Sequence, residues 1–104
     1  MDSNDVIILV GESRIGVSDT GIPMHTEERY ECLARLVSIG GKEFYQAQTS
    51  GVKPELKFIL SDFEDYRGES FLEHEGMRYK VLRTYRTGRE LEITVYGGVR
   101  VERS

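Results

Sequence analysis

The stretch Met77–Gly98, MRYKVLRTYRTGRELEITVYGG, decides how the rest of the chain is read. Two runs rich in β-branched and aromatic residues flank Thr87-Gly88, the pattern of a β-hairpin. A two-residue loop at Thr87-Gly88 pairs Leu82 with Ile93 and Lys80 with Val95, setting charge into the apolar face. A three-residue loop, Arg86-Thr87-Gly88, pairs Val81 with Ile93 and Tyr79 with Val95, and gives Gly88 the position that needs a left-handed backbone. A one-residue slip turns a whole arm over, so burial favours the three-residue loop. In that register Tyr79, Val81, Arg83 and Tyr85 share the apolar face, where Arg83 must find a carboxylate or reach out to water. Arg86 and Arg89 flank the tip with no partner inside the hairpin.

Outward from the hairpin the pattern stays mostly β. Ser70–His74, Glu75-Gly76 and Met77 onward read as strand, tight turn, strand, and Pro54–Leu60 alternates Leu56, Phe58 and Leu60 on one face. Asp5–Gly11 is a short apolar strand. Residues 12–26, with scattered glycines and a proline, read as an exposed loop or arm. Between Thr26 and Gly41 two periods compete. Tyr30, Leu33, Ala34 and Val37 fit a helix, which the local pattern slightly favours, while Tyr30, Cys32, Ala34 and Leu36 alternate as in a strand. Lys42–Ser50 is a short helix or extended loop, and Ser61–Gly68 an acidic turn. The expected fold is one mainly β domain over residues 1–104, a small barrel of about five to seven short antiparallel strands, since closure removes exposed edges.

Composition narrows the function classes. With 104 residues, 38% hydrophobic and 31% charged, the chain fits a single soluble domain with a small core. The net charge is −4, but residues 1–77 carry seven Lys/Arg against fifteen Asp/Glu and residues 78–104 seven against three. An acidic total disfavours a dedicated nucleic-acid binder, whose affinity comes largely from phosphate neutralisation. Flanks of opposite sign suit copies that associate head to tail in a ring. Neither a signal peptide nor a membrane span is expected, because the apolar run Val6–Val10 is too short for either. A lone cysteine, Cys32, fits a reducing compartment.

No residue set announces chemistry. His25, His74 and Cys32 lack zinc spacing, and both histidines read as surface residues. Arg29 and Arg35, three residues to either side of Cys32, would favour its thiolate, but no histidine base adjoins it. The acidic residues Asp62, Glu64, Asp65, Glu69, Glu73 and Glu75 lack the spacing of a calcium loop and read as a solvated turn. Gly40-Gly41 is followed by no Gly-Lys-Ser/Thr. No catalytic, metal or cofactor site is therefore expected. What remains is tyrosine interleaved with arginine at Tyr79, Arg83, Tyr85 and Arg86. That pattern serves base stacking in an oligonucleotide-binding barrel, and equally a protein interface. A small nucleic-acid-binding barrel using residues 79–86 is thus the alternative reading.

The order of short motifs adds a further lead. Glu43-Phe44-Tyr45-Gln46-Ala47, Gly51 and Pro54, Phe58 and Leu60, Tyr66 with Gly68-Glu69, and then Gly76, Tyr79, Val81, Arg83, Tyr85 and Gly88 follow one another before Leu91–Val95. Together they resemble the head closure (head–tail joining, or stopper) proteins of long-tailed bacteriophages, over roughly Glu27–Tyr96. The resemblance implies a non-enzymatic β-barrel subunit of a virion neck, assembled in the host bacterial cytoplasm as a ring of six or twelve copies. Such a ring contacts portal and adaptor proteins on the head side and tail terminator or tail tube proteins on the other, with double-stranded DNA passing through unbound. It further implies a strand over Glu27–Ile39 and a channel-side segment over Gly40–Lys53, carrying Lys42, Phe44, Tyr45 and Gln48 as gating residues. Asp62, Glu64, Asp65, Tyr66, Arg83, Tyr85, Arg86 and Arg89 are the candidate contacts to sister subunits or partners.

Overall fold

The computed structural model describes residues 4–39 and 51–101. Its strands are β1 (Asp5–Val17), β2 (Pro23–Val37), β3 (Leu56–Leu60), β4 (Phe71–His74), β5 (Met77–Thr87) and β6 (Glu90–Arg100), with one 3₁₀ turn at Phe63–Asp65. They close into a barrel in the order β1-β2-β3-β6-β5-β4, every neighbouring pair antiparallel. Alternation along each strand sends Ile7, Leu9, Ala34, Phe58, Leu60, Leu72, Tyr79, Leu91, Ile93 and Val95 into one core. The mainly β barrel expected from the sequence is the fold observed.

The β4–β5 turn follows directly from its residues. His74 opposes Met77, and Glu75 and Gly76 both take positive φ, 49° and 79°. That pair of left-handed residues is the mark of a type I′ hairpin turn, whose twist matches the strands.

The β5–β6 hairpin departs from both registers considered. Thr87 opposes Glu90, so the loop is Gly88-Arg89, and Gly88 takes φ 61° at its first central position. Glycine first is the requirement of a II′ turn, and that fixes the tip one residue later than expected. The register then slips at Leu82: Val81 faces Val95 but Arg83 faces Thr94, leaving Leu82 as an extra, bulged residue. Below the bulge Tyr79 and Val81 point inward as expected. Above it the faces exchange, so that Thr84 and Arg86 lie beside Ile93 and Leu91, while Arg83 and Tyr85 turn outward. The bulge thereby removes Arg83 from the apolar face.

Two further expectations change. Of the Thr26–Gly41 stretch, where local spacing leans toward helix, residues 26–37 lie in β2, a strand as the resemblance implies. Tyr30, Cys32 and Ala34 face the core, and the cross-strand pairing with β1 over Asp5–Val17 outweighs the local period. Residues 12–26 are not irregular: β1 and β2 continue as a paired ribbon on either side of residues 18–22. The proposed helix or loop at 42–50, and with it Lys42, Phe44, Tyr45 and Gln48, lies outside the described residues.

Candidate functional site

The 3₁₀ turn and the β5–β6 tip meet at one end of the barrel. Asp62 caps the turn, its Oδ1 accepting from the Glu64 amide at 2.9 Å, and its Oδ2 accepts from Arg89 Nη2 at 2.8 Å. These bonds hold the Asp62 carboxyl below its ordinary range, the Glu64 amide contributing most. Glu64 sits 3.9 Å from the same guanidinium. The Phe63 amide donates to the Arg89 carbonyl at 2.7 Å, and Arg86 stacks 3.4 Å over the Phe63 ring while donating to the Gly88 carbonyl. Arg89 is thus answered by a carboxylate of the acidic turn, and Arg86 by the Phe63 ring of that turn and the Gly88 carbonyl of its own hairpin. Four of the candidate contact residues form an intramolecular clasp.

The remaining turn residues face elsewhere. Asp65 accepts from the Tyr30 hydroxyl at 3.1 Å, and Arg67 lies over the Tyr30 ring. The Tyr66 hydroxyl donates to the Glu69 carbonyl at 2.7 Å, and the Glu69 carboxylate accepts from the Arg67 amide. Arg83 and Tyr85 stand apart from both groups, on the outer face of β3, β6 and β5 beside Lys57, Glu92 and Thr94. Tyr79, by contrast, is buried in the core. The Tyr/Arg strand therefore presents no continuous stacking platform: Tyr79 faces inward, Arg86 covers the barrel end, and Arg83 with Tyr85 faces outward.

The strongest electrostatic feature was not singled out from the sequence. Glu73 is 3% exposed on the outer side of β4, between two arginines. Arg29 of β2 grips it through two nitrogens at 2.7 and 3.1 Å, and Arg78 of β5 donates Nε and Nη2 to its Oε2 at 3.0 and 2.7 Å. Arg78 also donates to both oxygens of Glu27. The Arg29 hydrogen bonds, ahead of those from Arg78, hold the Glu73 carboxyl down at about 2. The tight turn at Glu75-Gly76 already implies that Glu73 opposes Arg78; Arg29, 44 residues away, has no such local signal.

The histidine and cysteine expectations are corrected. His74 is buried rather than on the surface, its Nε2 2.9 Å from Asp5 Oδ2 and its ring edge-on to Phe58. Asp5, His74 and Glu75 bring metal-ligand atoms within 4.8 Å of one another, but the hydrogen bond between His74 and Asp5 accounts for the closest approach. Cys32 faces the core from β2, and burial pushes its thiol up to about 11, opposite to the activation that Arg29 and Arg35 suggested. Near neutral pH the native thiol should react with a disulfide reagent roughly 100-fold more slowly than in the unfolded chain, a ratio readable by absorbance with and without denaturant. Equal rates would contradict the buried placement.

The class that this geometry defines is a closed six-stranded antiparallel barrel with a clasped end and a projecting two-stranded arm. Comparison with models of known families found no match, and none of the curated proteins matched.

Proposed function

We propose that the chain is a structural virion protein, a head closure or stopper subunit forming a ring at the head–tail junction of a long-tailed phage. Its ring sits beneath portal and adaptor, retains packaged DNA, and presents the face on which tail terminator or tail tube proteins dock. The observation that carries the reading is β2 (Pro23–Val37), which joins the barrel as a strand where the resemblance requires one and the local spacing leans to a helix. Charge supports it as well. A conduit must let DNA pass without gripping its phosphates, and a chain of net charge −4 suits that better than a cationic one. The carboxylates between Asp62 and Glu75 act in this reading as barrel clasp and acidic surface, with no catalytic part.

Electron microscopy of the chain mixed with portal–adaptor complexes from the same genome tests the proposal. The expected result is added ring-shaped density directly below the adaptor. Complexes that remain unchanged at saturating protein would contradict it.

A further inference from the structure

The β1–β2 ribbon is the one element that leaves the barrel wall among the described residues. β1 pairs with β4 from Ile8 to Val10 and no farther, and Glu27, opposite Glu12, is the last ribbon residue held to the wall, by Arg78. Beyond it Ser13–Val17 and Pro23–Thr26 pair only with each other. At ~3.4 Å per residue these five or so residues project roughly 17 Å. A lone two-stranded ribbon is marginal in water. This one also ends in apolar side chains: Val17, Ile22 and Met24 are 55%, 63% and 46% exposed. Apolar residues gathered on a projection mark a contact surface.

The charge pattern says what covers it. Residues 11–31, the arm and its root, carry five acidic and two basic residues, Glu27 being held by Arg78, whereas the outer face of β5 presents Lys80 and Arg83, the hairpin's other arginines, Arg78, Arg86 and Arg89, being engaged within the barrel. Glu12, Asp19, Glu28 and Glu31 are exposed on the first; Lys80 and Arg83 are exposed on the second, beside Tyr85, which is 66% exposed. Lys57, paired with Glu92 at 3.2 Å, floors the same outer face. We propose that the β1–β2 arm of one copy lies on the outer β3–β6–β5 face of the next, with Val17, Ile22 and Met24 packed against Tyr85. Acidic flanks meet basic ones, and because arm and receiving face differ, the contact repeats head to tail and is able to close a ring. The inference rests on the ring reading above and names the contact that joins neighbouring copies.

The full chain carrying photoreactive benzoylphenylalanine at Tyr85 tests it. An equal mixture of light and isotope-labelled chains is irradiated at high concentration, and the linked peptides are identified by mass spectrometry. The expected product joins Tyr85 of one copy to the Val17–Met24 segment of another. It weakens with added salt and falls about tenfold with Ile22→Glu, the fold-change of losing one apolar anchor. Ile22 lies outside the barrel, so Ile22→Glu leaves the melting temperature unchanged. Links within one chain only, links to other segments, or a yield indifferent to Ile22→Glu would overturn the inference. So would protection of Tyr85 by duplex DNA without protection by a second copy. A ring on portal–adaptor complexes lacking this link would overturn the arm contact and leave the ring reading intact, whereas no ring at all would remove both.

Discussion

Replacing Glu73 with alanine is expected to lower the melting temperature by about 10–20 °C, the largest single-residue effect in the Arg29–Glu73–Arg78 cluster. The carboxylate is 3% exposed and takes four hydrogen bonds from two guanidinium groups. Its removal leaves two arginines facing each other across a partly buried site. Breaking a buried pair from one side costs about 3–5 kcal/mol. Because Arg29 and Arg78 retain 37% and 26% side-chain exposure, water screens part of that, and about 2–3 kcal/mol is the expected loss. The same cluster sets an acid dependence. The Glu73 carboxyl sits at about 2 in the folded barrel against an ordinary 4.5, so the unfolded chain takes up the proton first. Its contribution is fully present above pH 4.5 and is lost as pH falls toward 2. Thermal melts of the natural chain and of Glu73→Gln should therefore converge across that window. A gap that stays constant down to pH 2 would contradict the network as the cause.

Gly98→Ala is the second large effect. A methyl group on Gly98 would lie 2.5 and 2.8 Å from Cε1 and Cδ1 of the buried Tyr79 ring and 3.1 Å from a Glu55 carboxylate oxygen. Gly98 takes no positive φ, so backbone strain does not enter; the clash with a rigid aromatic ring does. The Gly98 amide donates to Glu55 at 2.9 Å, which limits how far the strand can retreat. Overpacking of this kind costs about 1–3 kcal/mol, a drop of roughly 5–15 °C. Tyr79→Leu, which shortens the ring out of the way, should suppress most of the added cost in the double variant. Simple additivity of the two changes would show that the clash is not the mechanism.

How far the sequence reveals this fold depends on the range of the deciding interaction. Leu56, Phe58 and Leu60 on one strand and Leu91, Ile93 and Val95 on another declare their inward faces by alternation alone, and the Glu75-Gly76 turn declares itself by composition. The bulge at Leu82 does not. One extra residue costs a strand little locally, and its purpose is visible only once burial is known: it carries Arg83 and Tyr85 out of the barrel. Thr26–Gly41 offered two periods, and the choice was made by pairing with β1 rather than by propensity.

The candidate site was legible as a set of residues but not as an arrangement. Arg86 and Arg89 lack acidic partners within the hairpin because the groups that answer them, the Phe63 ring and the Asp62 carboxylate, come from a turn on the far side of β4 in the chain. The charge at the tip is consequently a folding contact, whereas Arg83 and Tyr85 lie on the outer face. Arg29 and Glu73, similarly distant, meet in a two-nitrogen ion pair that no motif announces.

Assembly as a ring on a portal–adaptor complex is readable by native mass spectrometry. The complex is expected to gain a whole ring of 11.9 kDa subunits in one cooperative step, with no partly filled rings accumulating. A complex that gains no mass, or that takes up single copies independently in proportion to concentration, would contradict it.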